Sequence, residues 1–152
     1  MEITRSVQVE AQAQQVWELV SDLPRMGELS PENKGGRWVG GAIGPAVGAR
    51  FRGLNRSGWR WRSTTVRVVR CEPGAAFAFA VTALGLKVAE WSYTIAPEGE
   101  GCTVTETWTD HRGGAMKGLG LLTTGVSDRS AFTATSIEHT LAAVKAVAER
   151  VR

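Results

Sequence analysis

From Glu2 to Glu10 the chain alternates. Ile3, Val7 and Val9 fall on one face and Thr4, Ser6 and Gln8 on the other, which predicts a first strand. From Ala13 to Ser21 the period changes, and Val16, Leu19 and Val20 share one side of a helix. Asp22-Leu23-Pro24 breaks that helix. Pro24 suits the first turn of a second short helix running to Leu29. From Lys34 to Arg112 turn signals recur at Gly40-Gly41, Gly44-Pro45, Ser57-Gly58, Pro73-Gly74, Leu84-Gly85 and Glu98-Gly99. Their spacing predicts an antiparallel meander of about six strands. Gly113 to Gly125 is Gly-rich and apolar and reads as a loop. Beyond it, Ile137, Leu141, Val144, Ala148 and Val151 form a sustained apolar stripe. That stripe predicts one long C-terminal helix, with Ser127 or Asp128 as N-cap and His139 turned to solvent.

The order is strand, two short helices, six strands, long helix. It describes an α+β chain read as one domain over residues 1–152. A single sheet and a single long amphipathic helix must bury their apolar sides against each other.

Hairpin lengths then set which residues stand side by side. A two-residue loop at Ser57-Gly58 places Phe51 opposite Thr64 and Gly53 opposite Arg62. A three-residue loop at Leu84–Leu86 places Phe79 opposite Trp91 and Phe77 opposite Tyr93. A four-residue loop at Glu98–Gly101 places Trp91 opposite Trp108 and Tyr93 opposite Glu106. With Val68 beside Phe77, three rows share one face: Val68–Phe77–Tyr93–Glu106, Val66–Phe79–Trp91–Trp108 and Thr64–Val81–Ala89–Asp110. That face is mostly apolar and is read as inward. Ser92, Thr94, Thr103, Thr105, Thr107 and Arg67 take the other side. Cys71 and Cys102 fall three strands apart, about 14 Å, too far for a disulfide.

Composition changes the picture in one respect. The net charge of the 152 residues is only +3, but the charge is unevenly laid out. Nine basic residues and no acid lie between Asn33 and Cys71. Of the 18 Lys and Arg, the other nine share the rest of the chain with 15 Asp and Glu, a net of −6. No stretch is long and apolar enough for a membrane-spanning helix, and the N-terminus lacks a secretory pattern. Two cysteines without CxxC spacing and only two histidines, His111 and His139, speak against zinc. No dinucleotide, P-loop or GxSxG motif occurs. No metal or cofactor is expected, and reduced thiols fit a cytoplasmic location.

Val16–Glu32 (VWELVSDLPRMGELSPE), Gly48–Trp61 (GARFRGLNRSGWRW), Cys71–Phe79 (CEPGAAFAF) and Thr140–Glu149 (TLAAVKAVAE) carry a resemblance. Together with the order of elements, they make the chain similar to the polyketide cyclase/dehydrase family. That family is a bacterial branch of the START-like (SRPBCC) helix-grip superfamily, which includes the birch-pollen allergen. The resemblance implies a seven-stranded antiparallel sheet curled around the C-terminal helix, with a cavity between them. The superfamily holds lipid carriers, ring-forming enzymes, hormone receptors and co-chaperones, so the site has to be argued from residues.

On this frame Phe51, Phe77, Phe79, Trp91 and Trp108 are candidate ligand-lining residues, with Arg62, Thr64, Tyr93 and Asp110 as polar contacts. Glu106 reads as a general acid/base or a hydrogen-bonding anchor for the ligand, its pKa raised by desolvation, or as a carboxyl paired structurally with Tyr93 or an arginine. Asp110 and His111 are either a proton-transfer pair or surface residues at a strand end. Arg60 and Arg62 either bind an anionic ligand end or stand in solvent at a hairpin tip. Gly113–Gly125 is a lid over the cavity or a plain connection. The leading expectation is a hydrophobic small-molecule binder. A polyketide cyclase, aromatase or dehydratase using Glu106 is the first alternative, and a co-chaperone-like interaction module the second. The basic flank suits an acidic protein partner or an anionic ligand end. Trp59 and Trp61 interleave with arginines, but no nucleic-acid motif accompanies them. An edge strand near Trp38 leaves monomer and homodimer both open.

Overall fold

The computed structural model describes residues 2–29, 33–57, 60–83, 86–111 and 129–150. The expected lid at Gly113–Gly125, the caps at Ser127 and Asp128, and the side chains of Arg60 and Arg62 lie outside what it describes.

Strand β1 (Glu2–Val9) leads into helix α1 (Ala13–Val20) and a 3-10 helix (Leu23–Glu28). Six strands follow: β2 (Asn33–Val39), β3 (Arg50–Ser57), β4 (Arg60–Glu72), β5 (Ala76–Ala83), β6 (Leu86–Glu98) and β7 (Gly101–Asp110). The chain closes with helix α2 (Arg129–Arg150). The sheet has the order β1-β7-β6-β5-β4-β3-β2, with all neighbours antiparallel. This is the seven-stranded helix-grip arrangement that the family resemblance implied.

Helix α2 is fixed along β1. Arg5 Nε donates to Glu138 Oε1 at 3.2 Å, and Lys145 Nζ donates to the Gln8 carbonyl at 2.9 Å. The Glu10 N–H donates to Glu149 Oε2 at 2.8 Å. Ile137, Leu141, Val144 and Ala148 are buried and His139 is exposed, as the stripe requires. Burial of each large aliphatic side chain stabilises the fold by about 1.5–3 kcal/mol. Helix α1 closes one end of the sheet through Val16 and Val20. Its Trp17 Nε1 donates to the Ala76 carbonyl at 2.9 Å, tying the helix to the start of β5.

The registers around β5, β6 and β7 match the hairpin reasoning: Phe77↔Tyr93, Phe79↔Trp91, Tyr93↔Glu106 and Trp91↔Trp108. The turns themselves are tighter. Ala83 pairs with Leu86 and Glu98 with Gly101, and a bulge between Val81 and Thr82 absorbs the difference on β5. Two registers require correction. On β3–β4, Phe51 faces Val66 and Gly53 faces Thr64, because pairing extends to Ser57↔Arg60. On β4–β5, Val68 faces Phe79 and Val66 faces Val81, while Cys71 faces Phe77 across a bulge. Each sliding is by two residues, so side chains up to Val68 stay on their expected face, while beyond the bulge Arg70 and Cys71 exchange faces and Cys71 joins Phe77 on the inward side. The bulge leaves Val69 as the unpaired residue of β4, and such bulges increase the bend and twist of a sheet.

Candidate functional site

With the registers corrected, three inward rows run across the sheet. The first is Cys71–Phe77–Tyr93–Glu106, continuing to Arg5. The second is Val68–Phe79–Trp91–Trp108, continuing to Ile3. The third is Trp38–Phe51–Val66–Val81–Ala89–Asp110. Thr64 lies one row further, opposite Gly53.

Burial divides these rows. Phe77, Tyr93, Glu106 and Val68 are sealed, each 1% exposed or less. Phe77, Tyr93 and Val68 belong to the same core as Val16, Val20 and Val144 of the two helices. Towards the other end, Trp91, Val81, Thr64, Asp110 and Trp38 are half-buried. The aromatic floor is therefore packed shut at the α1 end, whereas towards the end where β7 finishes these half-buried residues stand among the buried Phe51, Val66, Ala89 and Trp108. Phe51 is buried, with Trp38 set edge-on against it at 5.4 Å between ring centroids. Trp91 and Trp108 tilt together at 6.4 Å.

The sealed row contains the chemistry. Tyr93 Oη donates to Glu106 Oε2 at 2.9 Å. Burial pushes the Glu106 carboxyl up from 4.5 to about 8, and the Tyr93 hydrogen bond only partly opposes this. Burial, and then the adjacent carboxyl, also push the Tyr93 phenol well above its ordinary range. At neutral pH both groups are protonated. Since Oε2 already accepts from Tyr93, the acid proton of Glu106 belongs on Oε1. That oxygen has no partner.

A second buried oxygen shares this condition. Thr133 Oγ1, on α2, is unpartnered, and these two are the orphaned side-chain oxygens or nitrogens among the described residues. Thr140, two turns further along, satisfies itself on the Ser136 carbonyl at 2.9 Å; Thr133 makes no such bond. The register places Glu106 opposite Arg5, which reaches Glu138 of α2. Thr133 lies five residues before Glu138, about 7.5 Å along the helix towards the end where β7 finishes. Buried polar groups are satisfied as a rule, so two orphans on facing elements call for an explanation. Sequence reasoning missed Thr133. Its signal was its place four residues before Ile137, which extends the apolar stripe by a polar position.

Other candidates separate. Glu106 and Asp110 lie four residues apart on one strand, about 14 Å, too far for a paired-carboxylate site, which needs roughly 5–9.5 Å. Asp110 is half-buried on the inward face, whereas His111 is exposed with its Nε2 3.9 Å from Glu90 Oε2. Among the described residues no three His, Cys, Asp or Glu side chains converge as a metal site. Cys71 and Cys102 are free thiols.

The model of a family described as polyketide cyclase/dehydrase and lipid transport matches residues 1–149. No curated protein matches the chain. Among solved structures, a polyketide cyclase-like protein from Corynebacterium glutamicum is 31% identical, with a TM-score of 0.67 over 97% of this chain and 91% of that one. A START superfamily protein from Mycobacterium smegmatis shares the fold at 16% identity, with a TM-score of 0.73 over 99% of each chain. The di-domain ARO/CYC protein of the steffimycin biosynthetic pathway does so at 16% identity and TM-score 0.74, over 98% of this chain and 50% of that one.

Proposed function

The chain belongs to the polyketide cyclase/dehydrase and lipid transport family, and on that premise we propose that it binds a neutral, mostly apolar small molecule between sheet and C-terminal helix. The molecule enters at the end where β7 finishes, past Thr64 and Asp110. It lies against Phe51, Phe79, Trp91 and Trp108, and its polar atoms reach Glu106 and Thr133. Phe77 and Tyr93 form the floor of the deep end.

One observation carries this reading: the Glu106 carboxyl is sealed from water, bonded on one oxygen only, and neutral to about pH 8. A neutral acid with a free O–H donates to a carbonyl or hydroxyl oxygen. The orphaned Thr133 hydroxyl adds a second donor or acceptor. Ligand oxygens bonded to Glu106 and to Thr133 remove unsatisfied groups, each of which costs about 1–3 kcal/mol when left unmade. An anionic ligand end at that depth would instead lose its hydration among apolar neighbours.

Displacement of the neutral dye N-phenyl-1-naphthylamine tests the reading. The neutral ketone 2-acetylnaphthalene is expected to displace it at a concentration at least about tenfold lower than 2-naphthoate does. Glu106→Ala is expected to remove most of that preference. If the dye does not bind, and native mass spectrometry of the purified protein finds no co-purified small molecule, the reading fails.

A second reading is favoured by the same carboxyl, because a group titrating near pH 8 is suited to general acid–base work. In it Glu106 moves a proton on a polyketide-like substrate while Tyr93 or Arg62 holds an enolate oxygen. Full turnover by Glu106→Gln on a supplied substrate excludes that role.

A further inference from the structure

The outward face of β2–β4 is assembled against its own electrostatics. Arg37 stands directly opposite Arg52, and Arg50 directly opposite Arg67. Arg50 and Arg52 are two residues apart on one strand, about 7 Å, so the two pairs form one patch. Like charges at paired positions oppose sheet formation. All four arginines are exposed, and among the described residues none is bonded to a carboxylate. Arg52 Nε donates to Ser63 Oγ at 3.2 Å. Arg70, beyond the β4 bulge, is by contrast paired with Glu72.

Beside this patch the β2–β3 connection stands off the body. Ile43 is fully exposed, at 100%, and Val47 is 68% exposed. A methyl group added at Gly41, Gly44 or Gly48 would meet nothing within 4 Å, so the tip is ringed by open space. The base is held firmly. The Gly48 N–H donates to the Val68 carbonyl at 2.8 Å, and the Val68 N–H to the Ala49 carbonyl at 2.9 Å. The Arg50 guanidinium lies over Gly40, where the connection begins. Between residues 39 and 50 the connection frames a groove of about 450 Å³.

We propose that this connection and the adjoining arginines dock the protein on an anionic membrane surface. Ile43 and Val47 enter the boundary between headgroups and acyl chains, while Arg37, Arg50, Arg52 and Arg67 meet lipid phosphates. The charge patch and the apolar tip together select this partner. A soluble polyanion satisfies the arginines but leaves Ile43 and Val47 in water. A protein partner meets both only if an apolar groove is edged by acidic side chains spaced to match this patch. An anionic bilayer presents both environments within a few ångströms of each other. The docking is peripheral, since no helix among the described residues is long and apolar enough to cross a membrane. It does not depend on what the inward face binds.

Sedimentation with vesicles tests the proposal, using phosphatidylcholine alone and phosphatidylcholine with about one-third phosphatidylglycerol. The full chain is expected to sediment with the mixed vesicles only, and less so as salt rises. Ile43→Glu is expected to weaken binding at least about tenfold. The variants Arg50→Gln and Arg67→Gln are each expected to weaken it about fivefold. Because Ile43 touches so little, its variant should melt like the parent, which separates lost docking from lost folding. Absence of sedimentation with the anionic vesicles overturns the proposal, as does sedimentation indifferent to Ile43→Glu. Tighter binding to heparin or duplex DNA than to vesicles, sensitive to the arginines but not to Ile43, assigns the patch to a soluble polyanion and equally overturns it.

Discussion

Replacing Glu106 by Gln probes the buried carboxyl by a route that needs no ligand. The amide keeps an oxygen to accept from Tyr93 Oη and nearly the same volume, but it cannot ionise. Below about pH 4.5 the carboxyl is neutral in both the folded and the unfolded chain, and its burial carries no ionisation penalty. Between there and about pH 8 the unfolded chain releases the proton while the folded one holds it. Stability of the parent then falls by about 1.4 kcal/mol per pH unit. Above about pH 8 the folded form ionises too, and the accumulated loss levels off near 5 kcal/mol. That is a large share of the ~5–15 kcal/mol that holds a domain together. Urea unfolding followed by circular dichroism, at several pH values from about 5 to about 8, measures it. All other titrating groups are common to both proteins and cancel in the difference. The advantage of Glu106→Gln over the parent is expected to grow by roughly 3 kcal/mol between pH 5 and pH 7. A difference that stays level across that range means Glu106 ionises freely in the folded chain. The burial argument, and with it the neutral donor in the site, would then be wrong.

Two other expectations concern the frame around the site. Gly36 has φ +151°, and a Cβ there would collide with the Arg52 carbonyl and stand 2.7 Å from Phe51 Cζ. Gly36→Ala should therefore cost at least about 2 kcal/mol in thermal or urea unfolding, and a melt equal to the parent's would show that the ring has room to move. Cys71 is half-exposed and Cys102 buried, and burial raises both thiols above their usual pKa. Ellman's reagent should accordingly find one slowly reacting thiol in the native protein and a second only in denaturant; two thiols reacting at one rate contradicts the packing of β7.

How far the chain could be read before folding is clearest on β5–β7. Phe77, Phe79, Trp91, Tyr93, Glu106 and Trp108 stand in the pairs their hairpins implied, because an error in loop length was absorbed by the bulge at Val81. On β4 the reading slid by two residues. Nothing local in Val66–Arg70 marks Val69 as the residue that leaves the ladder, since a bulge answers to the curvature of the whole sheet. The face of each residue up to Val68 survived the sliding, but its neighbours did not, and beyond the bulge Cys71 turned inward. Thr64 thus lies beside Gly53 rather than Phe51. Glu106 was legible as an inward carboxyl. Its orphaned Oε1 was not, and neither was Thr133, because a missing partner depends on every element packed around an atom.

Alternation with period two along the strands, and the stripe from Ile137 to Ala148, were enough by themselves to determine the elements, their order, and which side of the sheet meets the helix. These are local properties, set by backbone geometry and the removal of apolar area from water. The tertiary structure alone decided which part of that inward face is sealed most completely. Helix α1 packs over the end holding Phe77, Tyr93 and Glu106, and α2 lies along β1 and β7. That closure is what desolvates Glu106, and desolvation grows with everything that excludes water around a group rather than with its neighbours in sequence. The meaning of the basic run was decided in the same way. Only the pairing of β2, β3 and β4 brings Arg37, Arg50, Arg52 and Arg67 into one patch beside the exposed Ile43.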